Sequence, residues 1–160
     1  LSRISNRLRE NYDFNFSDDE LKIQVTENYK IEIGGHPLDF GHKGKLSHIV
    51  YLFYLINHNG GFGRKDLSKG GIAREKFMLL YNHIYSKIYD DEVDRYVKSI
   101  TTVHSRISTR LKNQLNIEAL AHKYGFQSSN TKQDVTVYNI DISPEHLCVP
   151  AKLFDFRVSC

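Results

Sequence analysis

The sequence predicts an α+β fold with an N-terminal antiparallel sheet, three main helices and a C-terminal β-hairpin. Apolar and polar residues alternate between Leu21 and Ile33, which is typical of two strands with one buried face. Three later segments repeat apolar residues every three or four positions, as amphipathic helices do. A second alternating pattern, in residues 119–142, predicts the hairpin.

Each element is predicted from its local pattern. The predicted strands are 21–26, 29–33 and 37–40, the helices are 45–58, 74–89 and 93–115, and the hairpin strands are 119–127 and 134–142. The helix at 45–58 is apolar around much of its surface, which indicates burial. Residues 60–71 are rich in glycine, but Gly63 is followed by Arg-Lys-Asp rather than the Lys-Ser/Thr of a phosphate-binding loop. We therefore predict a mobile loop there.

The segment from Val93 to Leu115 carries the positive charge of the chain. From Arg95 to Leu115 there are five Lys and Arg residues and no Asp or Glu, so these residues contribute +5, whereas the whole chain is +3 and the remainder is −2. The apolar residues of the segment share one predicted helix face: Val93, Val97, Ile100, Val103, Ile107 and Leu111. Cations and short hydrogen-bonding side chains lie opposite. Such a face suits the major groove of DNA, although an exposed helix kept soluble by its cations has the same composition.

Each side chain of this face has an expected role. Those expected to reach base edges are Thr102, Ser105, Arg106 and Thr109, with Asn113 on the same face, and those expected to bind phosphate are Arg95, Lys98 and Lys112. The hairpin tip, Ser128 to Gln133, is polar and carries Lys132. We expect Lys132 to contact the DNA backbone or minor groove.

Three stretches of the chain resemble a known family. YKIEIGGHPLDF from Tyr29, LSHIVYLFYLINHNG from Leu46 and ITTVHSRISTRL from Ile100 are similar to the strand–turn–strand entry, the first helix and the recognition helix of OmpR/PhoB-type winged-helix domains of bacterial response regulators. Lys123-Tyr124-Gly125-Phe126 resembles the start of the wing in that family. The resemblance covers roughly residues 21–142. It implies a winged helix and a sequence-specific DNA-binding domain of a bacterial transcriptional regulator.

Length and composition indicate one domain in 160 residues. The predicted organisation is an N-terminal arm or linker at 1–20, a winged-helix domain at 21–142 and a C-terminal tail at 143–160 that packs on the body or on a partner. Cys148 and Cys160 form no disulfide framework, which predicts a reduced cytoplasmic protein. No apolar run is long enough to span a bilayer, so no membrane partner is expected.

Enzyme, metal and cofactor chemistry are not expected. The eight histidines include no His-x-x-x-His pair with a carboxylate, and His104 is predicted to be a packed or hydrogen-bonded side chain. Double-stranded DNA is the expected partner. The alternative is a protein-interaction module in which the long helix and the tail form an oligomer interface. A homodimer and an N-terminal regulatory domain preceding Leu1 stay open as further partners.

Overall fold

The computed structural model describes residues 22–115 and 123–158, so the predicted N-terminal arm lies outside the described residues. The elements in chain order are β1 (Ile23–Val25), β2 (Ile31–Ile33), β3 (His36–Pro37), α1 (Lys45–Ile56), α2 (Arg64–Leu67), α3 (Arg74–Ile84), α4 (Asp90–Lys98), α5 (Ile100–Leu115), β4 (Gln127–Asn130), β5 (Thr136–Asn139), a 3-10 helix (Pro144–His146), β6 (Leu147–Cys148) and a second 3-10 helix (Ala151–Phe156). The fold class is α+β, with an N-terminal sheet, several helices and a C-terminal hairpin.

The N-terminal sheet has the strand order β3-β2-β1-β6. β1 and β2 pair antiparallel with Ile23 opposite Ile33, and their apolar residues are buried, which confirms the predicted alternation. The third strand was predicted at 37–40 but lies at His36–Pro37. β6 comes from the predicted tail and pairs parallel with β1. Two-residue strands carry no alternation, so the sequence could not reveal β6.

α1 is the centre of the core. Every residue from His48 to Ile56 is buried, as the broad apolar surface of this segment predicted. The surrounding core residues come from the sheet, α3, α4, α5 and the segment after the hairpin: Ile23, Ile33, Phe77, Leu80, Tyr96, Ile107, Leu111 and Ile140. The sheet and the helices therefore close over one hydrophobic core.

The glycine-rich segment is more ordered in structure than predicted. It contains the one-turn helix α2, and the backbones of Phe62 and Tyr138 exchange two hydrogen bonds of 2.9 Å, which adds a short bridge to the hairpin. A Cβ atom on Gly63 would lie 2.2 Å from the carbonyl oxygen of Thr136. Glycine is required at this position because the two backbones approach so closely.

The predicted helix 93–115 is two helices, α4 and α5, that meet at Ser99. The Ser99 N–H donates to both Arg95 O and Tyr96 O at 3.0 Å, which ends α4, and Ser99 O accepts from Val103 N, which begins α5. The break was invisible in the periodicity because Val97 and Ile100 are three residues apart, so the apolar pattern continues across it. The helix predicted at 74–89 is likewise shorter and ends at Ile84.

The hairpin consists of β4, β5 and the turn 131–135 between them. It was predicted with strands at 119–127 and 134–142, but the strands are later and shorter, and Tyr124 lies in a helical turn. Residues 116–122 lie outside the described residues. Ser128, Ser129 and Asn130, which were predicted at the tip, belong to β4 and pair regularly with β5.

The described residues of the C-terminal segment pack on the body of the domain. Leu153 is fully buried, and the 3-10 helix Ala151–Phe156 lies against α1 and α3. The Asn57 side chain accepts a hydrogen bond from Val158 N at 2.7 Å, and Arg157 Nε donates to Ile56 O at 3.2 Å. These bonds fasten the segment to the end of α1.

Candidate nucleic-acid interface

α5 divides into a buried face and a polar face. The predicted apolar stripe is buried at Ile100, Val103, Ile107 and Leu111. The opposite side is exposed, and we define the polar face as Thr102, Ser105, Arg106, Thr109 and Asn113. Because no carboxylate interrupts this face, α5 offers hydrogen-bond donors and positive charge without a competing acid.

The break at Ser99 separates two predicted phosphate ligands from the polar face. Arg95 and Lys98 are exposed, but they belong to α4. Arg95 lies 3.9 Å from Asp91, and the two side chains are 75% and 79% exposed. A pair this open to solvent is weak, so Arg95 stays accessible to another anion. Lys112 is exposed near the end of α5.

A groove of about 960 Å³ runs beside the polar face. One wall is α5 and the other is the segment 37–47, which leads from β3 into α1. The lining residues are Pro37, Asp39, Phe40, Lys43, Ser47, Thr101, Thr102, Ser105, Arg106, Thr109, Arg110, Asn113 and Gln114. Three are cations and one is a carboxylate, so the groove attracts anions.

Two contacts hold the walls of the groove together. The Gln114 side chain accepts a hydrogen bond from Asp39 N at 2.7 Å and donates one to Asp39 O. One carboxylate oxygen of Asp39 accepts from Gly41 N at 2.8 Å, which folds the segment into a tight turn. The amide of Gln114 therefore fixes the turn against the end of α5.

Arg110 lies against the same turn. Gly41 has a φ of +89°, and a Cβ atom placed on it would lie 2.1 Å from Arg110 Nη2. The guanidinium therefore rests on bare backbone, in space that only glycine leaves free. The charge of Arg110 is evident in the sequence, but Arg110, Lys43 and Gln114 were not predicted to belong to the site. Their juxtaposition joins residues about 70 positions apart, and local pattern carries no signal for it.

His104 is packed inside an aromatic cluster, as predicted. Its ring stacks on Phe126 at 4.0 Å and meets Tyr138 edge-on at 4.7 Å, and its Nε2 shares a hydrogen bond of 2.8 Å with the Tyr96 hydroxyl. Nδ1 has no hydrogen-bond partner among the described residues. Burial lowers the pKa of His104 to about 3. The neutral ring therefore joins α4, α5 and the hairpin.

The hairpin lies beside the N-terminal end of α5. The hydroxyls of Thr101 and Tyr138 are 3.3 Å apart. Phe126, the residue before β4, stacks on His104 and so holds the start of the hairpin against α5. Lys132 is exposed in the turn of the hairpin. The structure thus brings Thr102, Ser105, Arg106, Thr109 and Asn113 onto one wall of the groove and leaves Arg95, Lys98 and Lys132 on neighbouring elements.

Comparisons with protein-family models, curated proteins and solved structures found no match to this chain.

The described residues, 22–115 and 123–158, give no support for a metal site or a membrane-spanning helix. No group of three or more His, Cys, Asp or Glu side chains in this part of the chain could hold a metal ion. Among the helices of the same residues, none is long and apolar enough to cross a bilayer. The anion-attracting groove and the exposed cations around it are the features that carry a functional argument.

Proposed function

We propose that this chain is a sequence-specific double-stranded DNA-binding domain of a bacterial transcriptional regulator, with a winged-helix fold. The observation that carries the proposal is the polar face of α5, which is exposed, basic and free of carboxylates. α5 inserts into the major groove. With 16 residues it is roughly 24 Å long, and an α-helix has a diameter that the major groove admits.

The side chains of the polar face match the chemistry of base edges. Arg106 can donate two hydrogen bonds to a guanine, and the methyl groups of Thr102 and Thr109 can contact thymine. Ser105 and Asn113 add short donors and acceptors between them. Arg95, Lys98 and Lys112 bind phosphates and set the orientation of the helix on the duplex.

The hairpin supplies a second contact, in the role of a wing. Its turn is polar, and Lys132 extends from it into solvent. Because the hairpin is held against α5 through Phe126 and Tyr138, Lys132 has a defined position relative to the polar face. A cation in that place contributes affinity through the DNA backbone with little preference for sequence.

The alternative, an oligomer interface built from α5 and the C-terminal segment, has less support. The apolar residues of α5 are buried in the chain's own core, and Leu153 packs there as well. An oligomer interface needs an apolar centre, and the polar face of α5 has none.

The test is a selection from random-sequence duplex DNA, followed by binding titrations of the enriched duplex at several salt concentrations. We expect one motif to be enriched. We also expect log K to fall with log salt with a slope of roughly −3 or steeper, because at least four cations release counterions. No enrichment together with no measurable binding would exclude a DNA-binding domain. Salt-independent self-association would favour the oligomer interface.

A further inference from the structure

The two flanks of α5 differ in what lies beside them. At about 100° per residue, Arg110 and Lys112 point to opposite flanks of the helix. Thr101 lies on the flank of Lys112, and its contact with Tyr138 places the hairpin there. On the other flank, the Arg110 side chain reaches Gly41 in the segment 37–47, which forms the second wall of the groove.

A helix inserted in the major groove has one DNA strand on each side of it. The strand on the hairpin side meets Lys112 and Lys132. The strand on the other side must pass between α5 and the segment 37–47, because those two elements form the walls there. The groove is lined by the polar face as well as by Arg110, so a DNA backbone in the groove would run beside the bases that the polar face reads.

The dimensions of the groove fit one strand. From Thr101 to Gln114 it extends for roughly 20 Å along the helix. A groove of this length, with a volume of about 960 Å³, can accommodate a short stretch of one sugar–phosphate backbone.

The cations of the groove are available for phosphate. Among the described residues, neither Lys43 nor Arg110 takes part in a salt bridge. The lining carboxylate, Asp39, already accepts the Gly41 N–H. The Arg110 guanidinium lies against Gly41, two residues from Lys43, so the two cations can bind one phosphate together.

We propose that this groove is a clamp for one phosphodiester strand of the duplex, with Lys43 and Arg110 as its phosphate ligands. The N-terminal sheet, through the segment that follows β3, thereby becomes part of the DNA interface. This inference rests on the proposed DNA-binding function and extends it beyond α5 and the hairpin. Gln114 and Gly41 are positioning residues, because the first fixes the turn to α5 and the second leaves room for the guanidinium.

The test uses a fluorescein-labelled random-sequence duplex of about 24 base pairs and fluorescence anisotropy at three salt concentrations, since phosphate contacts need no particular sequence. The variants are Lys43→Ala, Arg110→Ala and the double variant. Lys152→Ala is the matched control, because Lys152 follows β6 at the sheet edge opposite β3 and pairs with Glu27. Each single variant should bind the duplex about three- to tenfold more weakly than the wild type and should reduce the magnitude of the salt slope by about one unit. The double variant should reduce the magnitude of the slope by about two units. The control should match the wild type.

Gly41→Ala tests whether binding depends on the contact of the Arg110 guanidinium with the Gly41 backbone, and it removes no charge. In the wild-type background it should weaken binding less than Arg110→Ala does, because the displaced guanidinium can shift and keeps its charge. In the Arg110→Ala background it should add almost nothing, since the two changes act through one contact. Unfolding midpoints of all variants show whether each is folded in the assay.

The outcomes separate the clamp from the proposed function. If the wild type binds no duplex at all, DNA binding is excluded and the clamp with it. If the wild type binds and Arg106→Ala weakens it, while Lys43→Ala and Arg110→Ala keep the wild-type slope and affinity, the clamp alone is overturned. Losses in both clamp variants with an unchanged control establish the clamp.

Discussion

Replacing His104 with Gln should make the free energy of unfolding less sensitive to acid. His104 is 4% exposed, and burial lowers its pKa to about 3, against 6.5 for an ordinary histidine. As the pH falls below 6.5 the unfolded chain takes up a proton at this position, but the folded chain does not until about pH 3. The contribution of the neutral ring to the free energy of unfolding is therefore fully present above pH 6.5 and is lost as the pH falls toward 3.

The size of the effect follows from the shift in pKa. Each pH unit in that window costs about 1.4 kcal/mol, so the loss from the ordinary pKa down to about pH 5 is roughly 2 kcal/mol. Across the whole window it is roughly 5 kcal/mol. The structural reason is that a protonated ring would carry two N–H groups, while Nδ1 has no acceptor among the described residues.

Gln is the informative substitution because it cannot titrate and its side-chain amide can either donate to or accept from the Tyr96 hydroxyl. Loss of the stack on Phe126 should lower stability by a similar amount at every pH. His48, whose pKa is also lowered mainly by burial, titrates in both proteins, so it cancels in the comparison.

The assay is urea unfolding of the wild type and His104→Gln at about pH 7 and about pH 5. We expect the wild type to lose roughly 2 kcal/mol more than the variant over this range. If both proteins lose stability in parallel, the pKa of His104 is not depressed in the folded state and our account of the cluster is wrong.

Three further predictions concern α5 and the hairpin. Arg106→Ala should cost about 1–3 kcal/mol on the selected duplex and relax preference at one base, as measured by titration; an equal loss on random duplex would mean a phosphate contact. Lys132→Ala should weaken selected and random duplexes alike and reduce the salt slope by about one unit, with an unchanged unfolding midpoint. Ile107 is fully buried, so Ile107→Ala should lower the free energy of unfolding of the protein by about 2–5 kcal/mol, as measured by urea unfolding. A decrease below about 0.5 kcal/mol would contradict the burial of Ile107 in the core.

The sequence by itself determined which residues are buried in β1, β2, α1 and α5. The alternation from Ile23 to Ile33 and the periodicity of Ile100, Ile107 and Leu111 gave the correct faces, and the broad apolar surface of α1 gave its burial. These properties follow from local geometry, since a strand repeats every two residues and an α-helix every 3.6. The exposed side of α5, and hence the predicted base-reading residues, came from the same reasoning.

Tertiary structure alone decided where the helices break and what lies beside the polar face. The joint at Ser99 leaves the apolar period in phase, so no local pattern marks it. β6 is two residues long and has a partner at the other end of the chain. The hydrogen bonds between Asp39 and Gln114 join residues 75 positions apart, and both residues line the groove. Periodicity encodes which side of an element is buried, whereas the choice of neighbour depends on how the complete set of elements packs around α1.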